Sequence, residues 1–223
     1  MPHILINDSI ISKFVPRAIR LHSKFFAVIL ITLLLGVIGV WFSTATSVVD
    51  LGAGNNMIKS GLEAQWRQGS VVVLVRHAER CDRSANPCLG DIEGITIEGS
   101  NAAMVVGKGL RRLGLEKARM VASPLPRARQ TADFISGRVV ATQEWVSECD
   151  DGFKGAVIAH KSDNENLVLI THSGCIDHFE RLMGVRAGAR SSAYTQAIFV
   201  QVDGRHKPNI IGSLEATEWG KIR

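Results

Sequence analysis

Residues 71–80 read VVVLVRHAER, and this stretch decides both the fold class and the place of the candidate site. Its first five residues are apolar, rich in β-branched side chains and free of charge, which is typical of a strand buried on both faces. Arg76, His77 and Arg80 follow at the carboxyl end of that strand, where open α/β sheets place their ligands. Arginine binds phosphate oxygens and a neutral imidazole can attack phosphorus, so the pattern favours phosphate chemistry.

Two further apolar runs end in side chains of the same kinds. Residues 167–170, LVLI, lead directly into the segment that contains His172. Residues 118–122 lead into SPLPRARQTA at 123–132, in which the prolines predict a turn and then a helix start that carries Arg127. Because three strand ends each deliver a His or an Arg, we expect these side chains to meet in one pocket.

The alternation of strand and helix patterns predicts the fold class. We expect a single three-layer α/β domain with a mostly parallel central sheet over residues 70–223. Besides the three strands above, strands are predicted near residues 138–142, 194–202 and 208–214. The predicted helices cover residues 99–113, 125–135, 153–160 and 174–183. Gly107 and Gly109 weaken the first of these helices.

The charge distribution argues against a nucleic-acid partner. The chain has 223 residues, with 26 basic and 21 acidic side chains and a net charge of +5. Residues 1–24 contain four basic side chains and one acidic side chain, a net of +3, which leaves +2 for all the rest. The domain is therefore close to neutral, and we expect it not to bind nucleic acid.

Residues 25–42, FFAVILITLLLGVIGVWF, contain no charged side chain and would span about 27 Å as a helix, roughly one hydrocarbon core. They predict a transmembrane anchor or signal segment in the inner membrane. Because the flanking basic residues lie on the amino-terminal side, residues 1–24 are expected to be a cytoplasmic tail and the rest to be exported. Cleavage after Ser43-Thr44-Ala45 is the alternative to an anchor. Residues 43–69 are interpreted as a linker that contains a short helical patch near residues 62–68.

All four cysteines, Cys81, Cys88, Cys149 and Cys175, fall in the part predicted to be exported. An even number of cysteines in an oxidising compartment predicts disulfides. Three connectivities are open, of which Cys81–Cys88 together with Cys149–Cys175 is one. Zinc is the rival interpretation, but the sequence contains no C-x-x-C and the spacing of Cys81 and Cys88 is unusual for zinc ligands. We therefore expect no metal site.

The motifs at the strand ends resemble those of the histidine phosphatase (phosphoglycerate mutase-like) superfamily. That family opens with R-H-G or R-H-A, continues with S-x-L-x-R-A-x-x-T-A, matched by residues 123–132, and has a late strand that ends in H-G or H-S-G, matched by residues 172–174. Residues 76–89, RHAERCDRSANPCL, followed by GIT at 94–96, look like the periplasmic phosphatases of lipopolysaccharide core heptose(II) phosphate. Those proteins share the export segment and similarly placed cysteines.

The resemblance implies a role for each matched residue. His77 would be the nucleophile that forms a phosphohistidine, Arg76 and Arg127 would hold the phosphoryl oxygens, Arg80 would add a further phosphate contact, and His172 would complete the pocket. The implied protein is a periplasmic, metal-independent phosphomonoesterase that needs no cofactor and acts on heptose phosphate of the lipopolysaccharide core. Alternatives are a phosphatase for another envelope phosphate ester and a catalytically silent, membrane-tethered module that binds phosphosugars.

The leaving oxygen needs a proton, and a carboxyl group near the pocket is the expected donor. The family often has L-x-E-x-x-x-G at the corresponding place, and residues 146–152, VSECDDG, match it with Glu148 as the acid. Asp150 and Asp151 compete for the role on the same loop.

Overall fold

The structure is a computed structural model that describes residues 17–43, 46–190 and 192–221. The chain divides into two compact units, Met1–Ala45 and Thr46–Arg223. Helix α1 (Arg17–Ser43) is the element described in the first unit. Most of the predicted cytoplasmic tail and two residues of the predicted cleavage site lie outside the described residues.

Within the described residues, no helix is both long enough and apolar enough to cross a membrane. The anchor predicted over residues 25–42 therefore has no support from the structure.

The second unit begins earlier than the sequence analysis placed it. Residues 46–69, assigned there to a linker, include helix α2 (Asn56–Lys59) and helix α3 (Leu62–Arg67), and α3 matches the predicted helical patch. Leu51, Leu62 and Trp66 from this segment are buried in the hydrophobic core. These apolar side chains make the segment part of the folded domain, because a linker would leave them in water.

The central sheet has five strands, and their order is β2-β3-β1-β4-β5. The strands are β1 (Val71–Arg76), β2 (Ala118–Ala122), β3 (Asn166–Thr171), β4 (Ala197–Gln201) and β5 (Asn209–Leu214). β3 pairs in parallel with β1 and β2, whereas β4 pairs antiparallel with β1 and β5. The sheet is therefore mixed, and the expectation of a mostly parallel sheet holds for its first three strands only.

Helices cover both faces of this sheet and give three layers. Val71, Val73 and Val75 of β1 point into one hydrophobic cluster, which also contains side chains of α4 (Ile97–Leu113) and α5 (Pro126–Ser136). Val72 and Leu74 point into a second cluster with α6 (Phe153–Ala159) and α7 (Ser173–Leu182). The uninterrupted apolar run of β1 thus results from burial on both faces.

The two glycines that weaken the prediction of α4 permit close packing. A Cβ atom at Gly107 would lie 2.1 Å from the carbonyl oxygen of Ile135 on α5, and one at Gly109 would lie 2.1 Å from the ring of Trp219. Their cost in helix propensity is offset by the contact that they permit between α4 and its neighbours.

The strand predicted near residues 138–142 is reduced to an isolated parallel bridge between Ala122 and Thr142. Two hydrogen bonds accompany the bridge, from Ala122 N to Ala141 O and from Gln143 N to Ala122 O. This segment therefore touches the edge of β2 at one point and does not extend the sheet.

Candidate active site

The carboxyl ends of β1 and β3 lie side by side. Arg76 pairs with Thr171 in the parallel register, and the backbone N–H of His77 donates to the carbonyl of Thr171 at 2.9 Å. The register brings the next residues of both strands together, so that the ring centroids of His77 and His172 are 5.3 Å apart. The structure thus brings together the two histidines that the sequence placed at separate strand ends.

His77 is held in one tautomer. The residue is 3% exposed, and its Nδ1 lies 2.8 Å from the carbonyl oxygen of Ala78. A carbonyl oxygen can only accept, so Nδ1 carries the proton and donates it. The other ring nitrogen, Nε2, then has a free lone pair that can attack an electrophile.

Both histidines are neutral at physiological pH. Burial lowers the pKa of His77 to about 3, and His172, Arg127 and Arg76 act in the same direction. Burial likewise lowers the pKa of His172 to about 4, with further lowering by Arg127, Arg80 and Arg76. All three predicted phosphate-binding arginines therefore lie close enough to His172 to act on its charge.

Arg76 and Arg127 each have a guanidinium N–H that no described residue accepts. Arg76 lies at the end of β1, 3.9 Å above the ring of Tyr194, and its Nη1 donates to the carbonyl of Ser192 at 2.6 Å. Arg127 lies in the first turn of α5. In both arginines the Nε atom is buried and has no hydrogen-bond partner among the described residues. Such donors suit an anion with several acceptor oxygens.

Arg80 is already paired with a carboxylate. Its Nε donates to Asp82 Oδ1 at 2.7 Å, and its Nη2 also donates to the carboxylate of Asp82. This hydrogen-bonding raises the pKa of Arg80 further above its usual value. An incoming phosphate would therefore have to share Arg80 with Asp82.

Glu79 organises the loop that follows the first strand. Its carboxylate accepts hydrogen bonds from Thr96 Oγ1 at 2.7 Å, Asn86 Nδ2 at 2.9 Å and Ser84 Oγ at 3.0 Å. The hydrogen bonds from Asn86 and Thr96 make the largest contributions to lowering the pKa of Glu79. The carboxylate thus stays ionised and fixes the shape of residues 81–96 beside His77.

Two disulfides lock the loops that flank the histidines. Cys81 is bonded to Cys88, and Cys149 is bonded to Cys175. Of the three connectivities that the spacing leaves open, the structure contains this one. The first bridge closes the loop after β1, and the second joins the loop before α6 to α7.

Glu148 lies on the loop that this second bridge holds. The loop is also tied to the end of β3, because Thr171 Oγ1 donates to the carbonyl of Val146 at 2.7 Å. Glu148 itself is exposed, and its side chain makes no hydrogen bond or salt bridge within the described part of the chain. The structure therefore places its loop at the correct edge of the sheet without placing its carboxylate against either histidine.

The two competing acids are both engaged elsewhere. Asp151 accepts from Arg181 Nη2 and is bonded to His178 Nε2, each at 2.9 Å, and these partners lower its pKa. Asp150 Oδ1 accepts from the backbone N–H of Gly152 at 2.8 Å. The partners of Asp151 favour its ionised form, which disfavours it as a proton donor. Asp150 is held by the backbone of its own loop.

Three residues of the site received no role from the sequence. Ser123 Oγ is buried and lies 2.8 Å from His172 Nε2, and Thr131 Oγ1 accepts from the backbone N–H of Ala78 at 2.8 Å. Both lie in the SPLPRARQTA segment, so its fixed spacing was the available signal. Tyr194 lies 5.7 Å from His77 between ring centroids and belongs to no motif. The next residue, Thr195, has φ of 60°, which is strained for a β-branched side chain.

Among the described residues, no group of three or more His, Cys, Asp or Glu side chains is placed to hold a metal ion. A buried imidazole with a free nitrogen, ringed by guanidinium groups at the carboxyl edge of an α/β sheet, defines a site for a phosphoryl group or a similar anion.

Comparison with known proteins agrees with this class of site. Residues 72–152 match the family model described as histidine phosphatase superfamily, branch 1. Relatives named lipopolysaccharide core heptose(II)-phosphate phosphatase, from Salmonella paratyphi B and Salmonella typhimurium, are 36% identical over 123 residues. These matches cover 54% of this chain and 61% of the relatives' length.

A solved structure of the protein histidine phosphatase SixA complexed with tungstate has the same fold. It aligns with a TM-score of 0.51 at 15% identity, over 66% of this chain and 97% of SixA. At this identity the likeness concerns the fold, a single α/β domain with a mixed sheet.

Proposed function

We propose that this protein is a phosphomonoesterase that transfers a phosphoryl group first to His77 and then to water. The observation that carries the proposal is the state of His77. Its Nδ1 donates to the carbonyl of Ala78, and burial lowers the pKa of the ring to about 3. The free Nε2 therefore remains a nucleophile throughout the physiological pH range.

In the proposed first step, Nε2 of His77 attacks phosphorus. A P–N bond forms while the ester P–O bond breaks, and the alcohol leaves. Arg76, Arg127 and Arg80 stabilise the charge on the equatorial oxygens, which is the main demand of phosphoryl transfer. Their guanidinium groups supply positive charge, so the proposal calls for no metal ion. His172 completes the pocket beside them. In the second step, water displaces His77 and inorganic phosphate is released.

Glu148 is the proposed proton donor to the leaving alcohol. It is the one acid of its loop whose carboxylate is not engaged by described residues, while Asp150 and Asp151 are. If Glu148 donates the proton, Glu148→Gln should lower kcat by roughly 10²-fold or more, because the amide cannot protonate the leaving oxygen. A kcat for Glu148→Gln equal to that of the wild type would remove Glu148 from the mechanism.

The proposed substrate is a heptose phosphate of the lipopolysaccharide core, in an oxidising compartment outside the cytoplasm. The relatives that share 36% identity bear the name of that activity. The two disulfides support an oxidising compartment, because thiols are kept reduced in the cytosol. Glu79 and the Cys81–Cys88 bridge fix the loop beside His77, which suits a site that selects one phosphate ester among many.

The test is phosphate release from heptose-phosphorylated lipopolysaccharide core by the full-length chain, in the presence of EDTA, with phenyl phosphate as a second substrate. We expect the wild type to release phosphate from the core and His77→Ala to release none. Phosphate release from phenyl phosphate but not from the core would support phosphatase activity and exclude the core as the substrate. Binding of the core without release from either substrate would favour a phosphosugar-binding module instead.

A further inference from the structure

Besides the phosphate site at His77, a pocket of about 320 Å³ lies along helix α7. Its lining residues are Ser173, Gly174, Asp177, Glu180, Arg190 and Ser192. Ser173, Asp177 and Glu180 are spaced by four and three residues, so they occupy one face of the helix. None of the roles assigned above uses this pocket.

The pocket borders the phosphate site at one end. Ser173 and Gly174 follow His172 directly in the chain. Ser192 contributes the carbonyl that accepts Arg76 Nη1 at 2.6 Å, so the same backbone segment lines the pocket and holds a phosphate-binding arginine. Glu180 lies seven residues beyond Ser173, which is about 10 Å further along the helix. A ligand whose phosphate contacts His77 can therefore extend its remainder into the pocket.

Glu180 is the unusual member of the lining. It is 1% exposed, and neither of its carboxylate oxygens has a hydrogen-bond partner among the described residues. Beside it, Arg190 Nη1 donates to Asp177 Oδ2 at 3.0 Å, while Arg190 Nε is buried and has no hydrogen-bond partner in the part of the chain that the structure describes. Buried polar groups are nearly always satisfied in native proteins, and each exception calls for an explanation.

The lining thus contains both acceptors and a donor that no described residue pairs with, and this combination indicates the chemistry of the ligand. Carboxylate oxygens accept hydrogen bonds, and the Nε of Arg190 donates one. Hydroxyl groups do both, so adjacent hydroxyls of a sugar would satisfy both sides of the pocket. A cationic ligand would satisfy the carboxylate of Glu180 but would offer no acceptor to the Nε of Arg190. The volume is at the lower end of the range for small-molecule sites, which is enough for one sugar ring.

We propose that this pocket binds hydroxyl groups of the sugar whose phosphate lies at His77, with Glu180 and Arg190 as the groups that recognise them. This inference rests on the proposed phosphatase function and adds to it the part of the protein that selects the alcohol portion of the substrate.

The test compares kcat/KM for heptose phosphate with kcat/KM for phenyl phosphate, which has no hydroxyl groups. We expect Glu180→Leu to lower the ratio of the two constants roughly ten-fold or more, because sugar hydroxyls lose their buried acceptor. Glu180→Gln, which keeps the size and one acceptor oxygen, should lower it less. Glu116→Gln is the control, since Glu116 is exposed and lies just before β2, at the amino-terminal edge of the sheet. A ratio that stays at the wild-type value in Glu180→Leu overturns the inference, as does an equal loss on both substrates.

Direct binding keeps this test separate from that of the catalytic function. Heptose phosphate is titrated into His77→Ala and into the double variant with Glu180→Leu, with circular dichroism as the check of folding. We expect weaker binding by the double variant even if the wild type turns over neither substrate, in which case only the catalytic proposal fails. Equal affinities of the two folded variants would refute the pocket while leaving the phosphatase proposal intact.

Discussion

His77 acquires its chemistry from its surroundings more than from its residue type. Burial disfavours the imidazolium and lowers its pKa to about 3, while the carbonyl of Ala78 fixes the proton on Nδ1. The strand-end pattern predicted the place of this side chain correctly. Its tautomer could not be predicted, because it depends on how the ring turns toward the carbonyl of Ala78. The stacking of Arg76 on Tyr194 and the contact of Ser123 with His172 could not be predicted either, since they join residues far apart in the sequence.

Arg127 and Arg129 form a matched pair for testing the phosphate pocket. They are two residues apart on α5, but Arg127 is partly buried and its Nε has no partner among the described residues, while Arg129 is exposed. We expect Arg127→Ala to lower kcat/KM by roughly 10²–10³-fold, as the loss of one donor to transition-state charge does in other enzymes. Arg129→Ala should keep kcat/KM within about two-fold of the wild type, because an exposed charge has a small effect. Steady-state kinetics on phenyl phosphate decides, and similar losses in the two variants would contradict the assignment.

At the scale of elements, local patterns predicted individual helices and buried strands well and their pairing less well. Helices α4 to α7 begin and end within about two residues of the predicted bounds, a usual uncertainty for helix ends. The antiparallel pairing of β4 and β5 was missed, because a strand pattern does not state its direction. Residues 46–69 were taken for a linker because their Gly, Ser and Asn content concealed the apolar side chains that pack on the domain.

The two disulfides should differ in what they contribute to stability. Cys149 and Cys175 are 26 residues apart, whereas Cys81 and Cys88 are 7 apart. A longer closed loop restricts the unfolded chain more, by about 1 kcal/mol for this difference in length. We therefore expect the double variant Cys149→Ser/Cys175→Ser to lose more free energy of unfolding than the double variant Cys81→Ser/Cys88→Ser. Urea denaturation measures both, and a larger loss for the shorter loop would contradict this expectation.

For the whole molecule, buried titratable groups make stability depend on pH in two opposite senses. His77 and His172 have a lower pKa in the folded state than in the unfolded chain, so stability is lost as the pH falls below about 6.5. Burial and Asp177 raise the pKa of Glu180 to about 7, against the opposing effect of Arg190. The folded state then holds a proton that the unfolded state releases, so stability is lost as the pH rises.

Glu180→Gln should remove this second dependence. In the wild type the loss begins near pH 4.5, where the carboxyl ionises in the unfolded chain, and is complete above about pH 7. The shift corresponds to about 3 kcal/mol at most. We expect the stability of the wild type relative to Glu180→Gln to fall between pH 4.5 and pH 7.5 in urea titrations. A difference that is constant over this range would show that the Glu180 carboxyl titrates alike in both states.

The phosphoryl intermediate on His77 is the central claim, and trapping it is the most direct test. The full-length wild type would be mixed with phenyl phosphate, quenched in alkaline denaturant to preserve phosphohistidine, digested and analysed by mass spectrometry. We predict an acid-labile phosphoryl group on the peptide that contains His77, and none on the corresponding peptide of His77→Ala. Phosphate release by the wild type without label on this peptide, or undiminished release by His77→Ala, would contradict the account.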